Sequence, residues 1–187
     1  MKSVLNENDK VNLLKLARET LVYYMSNGKF PTPEALKIEI SVNMKNEMGV
    51  FVTLHKDGNL RGCIGEIFPS RSLYQAVMAQ AVNSALRDHR FSQVKKDELS
   101  DIEFEISALT PPQEVSSYND IVIGQDGMTL SKHGRSAVFL PQVAPEQGWD
   151  LDQTLTQLSM KAGLKPDSWK ENAKFTVFQA IVFKEKQ

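Results

Sequence analysis

Val11, Leu14, Ala17, Leu21 and Tyr24 recur at the spacing of one helix face. Asn6 or Asn8 can cap this run and Asn27-Gly28 ends it, which predicts a first helix between them. Phe30-Pro31-Thr32-Pro33 follows as a rigid loop. The pattern then changes period. Gly49 to His55 and Asn59 to Ile67 read as strands joined at Asp57-Gly58, hence a hairpin. Pro69-Ser70 introduces an alanine-rich helix from about Ser72 to Leu86. Ile102 to Ala108 alternates strictly, with Ile102, Phe104, Ile106 and Ala108 toward a core and Glu103, Glu105 and Ser107 opposite. Thr110-Pro111-Pro112 closes this half.

The second half follows a similar plan. Ile121 to Ile123 reads as a short apolar strand, and Asp126-Gly127 as a turn like Asp57-Gly58. Met128 to Ser131 and Ser136 to Leu140 read as further strands, and Pro141 to Gly148 as a loop. Asp150 and Gln153 form a capping-box pattern ahead of the stripe Leu151, Leu155, Leu158 and Ala162, and Gly163 suits the left-handed position that ends it. Phe175 to Phe183 is apolar on both faces and reads as a central strand. The expectation is an α+β fold of mostly antiparallel strands, built as a coarse duplication with sub-units 1–112 and 113–187.

Composition narrows the classes. Of 187 residues 41% are hydrophobic and 24% charged, ordinary for a globular chain, and the formal charge is -1. So weak a field argues against nucleic acid as a general partner. Met1 to Asp9 lacks the apolar core of a secretory leader, and no run is long enough to span a bilayer, so a soluble cytoplasmic protein is expected, without a membrane. The single cysteine excludes an internal disulfide and a multi-cysteine zinc site.

That cysteine lies in Leu60-Arg61-Gly62-Cys63-Ile64-Gly65. On a regular strand Arg61, Cys63 and Gly65 share a face, with the guanidinium and thiol about 7 Å apart. At an effective dielectric near 20 that separation is worth about 2 kcal/mol to a thiolate, before screening. Gly62 and Gly65 leave room for a backbone or a ligand, and their amides are candidate oxyanion donors. Cys63 is thus a candidate nucleophile or covalent carrier, with Arg61 stabilising it or binding an anionic substrate. A small buried cysteine in a core strand, with bulge-marking glycines, explains the same residues.

Further chemistry is available. Asp88-His89-Arg90-Phe91 gathers polar groups after the second helix; Asp88 and Arg90 are candidate ligand-binding residues, and a plain helix terminus is the simpler explanation. His55, just before the hairpin turn, and Glu105 are candidate proton handlers. Glu103 and Glu105 share a strand face, most simply a solvated one. Lys132-His133-Gly134-Arg135 is a basic turn with weak phosphate-binding character. No motif specifies a metal, and no cofactor is named by any of them.

Taken in order, these residues resemble the AMMECR domain family. The hexapeptide is similar to its signature, and Asp88, Arg90 and Phe91 to its D-x-R-F stretch. Glu105-Ile106-Ser107 with Leu109, Gly124 with Asp126-Gly127, Phe139-Leu140-Pro141-Gln142-Val143, Glu146, Trp149, Lys161-Ala162-Gly163-Leu164 and Trp169 resemble the segments that follow. The likeness runs from about Val11 to Phe183. Departures are Glu66, where relatives often carry threonine or serine, and His89 in place of a common proline. A second cysteine seen in many relatives is absent, with Ser159 or Met160 in that region, which speaks against a two-cysteine mechanism.

The resemblance implies two β-rich repeats with helices around a barrel-like sheet, and a cleft near the hexapeptide. It supplies no established reaction. Memo-type and radical SAM proteins are the partners it implies, in a shared pathway, and RNA modification is a role suggested for the family. Two classes of function follow: a cleft enzyme or catalytic accessory acting through Cys63, or a module that binds a small molecule, RNA or protein without turnover.

Overall fold

The computed structural model describes residues 5–185. Its first helix, α1 (Glu7–Asn27), starts at Asn6, whose side chain accepts the Asp9 amide while Asp9 accepts the Asn6 amide. It ends at Gly28, in the left-handed conformation at φ 69°. Leu14, Ala17 and Leu21 are buried as the spacing predicts, and Leu13 and Leu16 beside them are fully enclosed. Val11 is the exception, 60% exposed at the outer margin of the stripe.

The chain divides into two compact units. One comprises the chain up to Leu109 together with the segment from Ile181 onward; the other is Thr110–Ala180. In the first, β1 (Gly49–Lys56) and β2 (Asn59–Glu66) form the expected hairpin, with Asp57 and Gly58 both at positive φ. The second helix, α2 (Leu73–Leu86), and β3 (Ile102–Leu109) follow. With the last strand, β8 (Ala180–Lys184), these form a four-stranded sheet in the order β2-β1-β3-β8. One face of it carries Val50, Val52, Leu54, Ile102, Phe104, Ile106 and Ala108, and the helices bury that face. Each of these side chains larger than alanine contributes about 1.5–3 kcal/mol through loss of water contact.

In the second unit, β4 (Gln113–Val115), β5 (Gly127–Lys132), β6 (Arg135–Phe139) and β7 (Lys174–Phe178) make a sheet in the order β4-β7-β5-β6. Two helices accompany it, α3 (Val143–Gln147) and α4 (Leu151–Lys161). Asp150 and Gln153 make the expected capping box, and Gly163 has φ 73°. Leu155 and Leu158 join Met128, Leu130, Trp169 and Phe175 in this unit's core. No helix among the described residues is long and apolar enough to cross a membrane.

Four expectations are corrected. Ile121 to Ile123 is a loop, because the Asp126 carboxylate accepts the Val122 amide and the chain turns back on itself. The counterpart of the Asp57-Gly58 turn is His133-Gly134, both at positive φ, and not Asp126-Gly127. The segment Phe175 to Phe183 breaks at Gln179 into β7, interior to one sheet, and β8, at the margin of the other. Finally, both sheets are open among the described residues, so neither closes as a barrel.

Candidate functional site

The site is built on the half-buried face of the first unit's sheet. Cross-strand register places Cys63 opposite Thr53, and Thr53 opposite Glu105, so the three lie in one row across β2, β1 and β3. The adjacent row holds Leu60, His55 and Glu103. The Thr53 hydroxyl donates to Cys63 Sγ at 3.2 Å. His55 Nε2 lies 4.0 Å from Glu105 Oε2, is enclosed, and makes no hydrogen bond. Beside them a cavity of about 480 Å3 is lined by His55, Asp57, Gly58, Asp101, Glu103, Glu105 and Lys184. Cys63 and Glu105 stand two strand spacings apart, about 10 Å, with Thr53 between them. Neither Cys63 nor Thr53 lines that cavity.

Cys63 reaches this face through a bulge. Counting back from the turn, Lys56 pairs with Asn59 and His55 with Leu60. Continued regularly, that pairing would set Cys63 opposite Val52, on the core face. Instead the register slips by one between Leu54 and His55, leaving Arg61 as the extra residue and setting Cys63 opposite Thr53. One added residue turns the sulfur from hydrocarbon to the open face.

Arg61 anchors the bulge. Its Nε and Nη2 donate to the two oxygens of Glu98 at 3.1 and 3.0 Å, and its remaining donors reach the Ser92 and Gln93 carbonyls. The Arg61 hydrogen bonds, joined by the Lys95 amide, overcome desolvation and hold the Glu98 carboxyl down at about 2. The charge expected to stabilise the thiolate is therefore committed to Glu98. The alternation that put Arg61 and Cys63 on one face fails for the same reason, since it assumed a regular strand.

Asp88 and Arg90 hold the Cys63 peptide. As an edge strand, β2 turns the Cys63 N–H and C=O away from β1. Asp88 Oδ2 accepts the N–H at 2.9 Å and Arg90 Nη2 donates to the C=O at 3.2 Å. Arg90 also donates to both Asp88 oxygens, at 3.0 and 2.8 Å. These Arg90 bonds, with the backbone amides of Cys63 and Arg90, keep buried Asp88 far below the usual carboxylate range despite its desolvation. Arg90 is raised in turn by Asp88, with a smaller contribution from the Cys63 side chain. His89 points to solvent.

The spaces at the two glycines are occupied by the chain itself. A Cβ on Gly62 would fall on the Ser84 carbonyl of α2, and one on Gly65 on the Val50 carbonyl and the Phe51 ring. The Ser84 hydroxyl accepts the Ile64 amide at 2.8 Å and donates to the Val52 carbonyl at 2.7 Å, tying helix to hairpin. In the other unit the basic turn is likewise spent on carbonyls: Lys132 donates to Ser168 and Glu171, Arg135 to Gly163. No group of three His, Cys, Asp or Glu side chains able to hold a metal occurs among the described residues.

The AMMECR1 family model matches residues 14–183. The chain belongs to the AMMECR1 family. It is 38% identical to a Methanosarcina mazei protein over 98% of this chain and 95% of that one. A Methanothermobacter thermautotrophicus protein is also 38% identical, over 97% and 96%. The crystal structure of an uncharacterized protein from Pyrococcus horikoshii is similar at TM-score 0.80 and 35% identity, covering 97% of this chain and 93% of that one. In this AMMECR1 chain, the signature hexapeptide and the D-x-R-F stretch are two halves of one construction around Cys63. Thr53 escaped the sequence reading; its partner follows only once the bulge at Arg61 is counted.

Proposed function

We propose that this AMMECR1-family chain is an enzyme or catalytic accessory whose reactive centre is Cys63, working on a substrate laid across the β2-β1-β3 face. The observation that carries the reading is the Thr53 hydroxyl donated to Cys63 Sγ at 3.2 Å, on a partly exposed residue whose own backbone is fixed at both polar atoms. A thiol so held needs little reorganisation to attack or carry a group. The Thr53 hydroxyl fixes the sulfur on the open face of the sheet. Glu105 and His55, 4.0 Å apart across neighbouring strands, are the proton handlers, and Arg90, paired with Asp88 but exposed, is the cation offered to an anionic substrate group. Memo-type and radical SAM proteins are its pathway partners in this proposal.

Trapping tests the reading. The chain is purified from its native cells under rapid thiol-blocking conditions and weighed intact. A substrate-derived adduct at Cys63, absent from Cys63→Ala, supports covalent chemistry; an unmodified thiol under turnover conditions, with all partners present, argues against it.

A binding module is the second reading, favoured by one observation. Gly62, Gly65, Arg61 and Asp88 are all engaged within the chain, which makes the signature an internal scaffold. In that case the face holds a small molecule or a partner segment, and Cys63→Ala leaves retention of Memo-type or radical SAM proteins in pull-downs unchanged.

A further inference from the structure

The two margins of the first unit's sheet are treated differently. On β2 the outward N–H and C=O of Cys63 are capped by Asp88 and Arg90. On β8 the Glu185 amide bonds to Phe104 of β3, so by alternation the Val182 and Lys184 amides and carbonyls point the other way, off the sheet. β8 has β3 as its only strand neighbour, and no backbone group among the described residues meets those outward groups. The strand Ala-Ile-Val-Phe-Lys carries no proline, and Val182 is 57% exposed. Such a margin is a template for strand addition.

Alongside it runs a groove of about 650 Å3 between β8 and α1. Val11, Leu14 and Phe183 give it apolar walls, and Val11 is the residue of the α1 stripe left exposed. Lys10, Lys15, Arg18 and Lys184 line it against two carboxylates, Glu7 and Glu185. Both carboxylates are already taken, Glu7 by Lys10 at 2.6 Å and Glu185 by Arg18 at 2.5 Å. Lys184 pairs with Glu103 at 3.3 Å, and among the described residues Lys15 is in no ion pair, so one positive charge of the groove is left over.

We infer that the β8 margin is a docking surface for an extended segment of a partner protein, one in which acidic residues alternate with apolar ones. Backbone pairing supplies the outward hydrogen bonds of Val182 and Lys184, the apolar side chains fill the Val11–Phe183 groove, and the acidic ones meet Lys15 and Lys184. A second copy of this chain fits less well, because its own groove brings the same positive charge to the contact.

The full chain is titrated with a short synthetic peptide of alternating Glu and Val, followed by amide NMR. The expected result is saturable shifts at the Val182 and Lys184 amides. Binding weakens at least tenfold in Lys15→Glu/Lys184→Glu, is lost in Val182→Pro, and is absent for an alternating Lys and Val peptide. Proline is tolerated on edge strands, and if Val182→Pro unfolds the charge-reversal variant carries the test. Absent shifts at millimolar peptide, equal binding of the basic peptide, or shifts mapping elsewhere overturn the inference. So does a concentration-dependent dimer abolished by Val182→Pro, which assigns the margin to a second copy.

Discussion

Asp88 accepts the backbone amide of Cys63 at 2.9 Å, so the aspartate of one signature stretch holds the peptide of the other. Removing that carboxylate in Asp88→Ala leaves the Cys63 N–H and the Arg90 guanidinium without their shared partner. Charged hydrogen bonds of this kind are worth about 1.5–3 kcal/mol, a fall in Tm of roughly 3–12 °C for a chain of this size. Calorimetry reads the loss, and hydrogen exchange localises it: the Cys63 amide speeds up far more than that of Ile106 in the interior strand.

Gly62→Ala and Gly134→Ala separate two costs of replacing glycine. At Gly134 the backbone has φ 73° with open space around it, so alanine meets only conformational strain, about 1 kcal/mol. At Gly62 the new methyl meets the Ser84 carbonyl of α2, and helix or strand must move. Urea unfolding is expected to show a loss of about 2 kcal/mol or more for Gly62→Ala, the larger of the two. Equal losses would remove the packing explanation for this signature glycine.

Acid weakens the same construction. Glu98 sits at about 2 in the folded chain, against an ordinary 4.5, and Asp88 is depressed further. A carboxylate depressed by folding contributes stability that is fully present above its unfolded pKa and is lost as pH falls through the folded one. Thermal stability therefore declines from near pH 5 down to pH 2. Glu98→Gln flattens that decline and lowers stability at neutral pH; an unchanged acid limb would show that the Arg61–Glu98 pair is energetically idle.

Thr53→Val removes the donor on sulfur and keeps the shape. A hydrogen bond of this kind is worth about 1 kcal/mol, part of which is felt by the sulfur in the alkylation step. Iodoacetamide labelling of Cys63 at neutral pH is expected to slow two- to threefold, with no other cysteine to confuse the count.

Local signals were legible in the sequence because they are written within a few residues. A cap at Asn6 or Asn8, the Asp57-Gly58 turn, the strict alternation from Ile102 to Ala108 and the Asp150–Gln153 box are each written within a few positions; the turn, the alternation and the box are found, and Asn6 is the cap. The hexapeptide glycines allowed a bulge, but its place at Arg61 was not legible. The partner that fixes it, Glu98, lies 37 positions on. Hence Cys63 was singled out, the arginine assigned to it is spent on Glu98, and Thr53 was passed over. The break at Gln179 escaped for a related reason: β7 and β8 are both mostly apolar, and sheet membership separates them.

The alkylation rate of Cys63 in the folded chain, compared with the urea-unfolded chain at the same pH and read by intact mass, tests the account most directly. A positioned, solvent-reachable thiol beside Thr53 predicts a folded rate several-fold above the unfolded one, reduced by Thr53→Val. A folded thiol protected a hundredfold would contradict it.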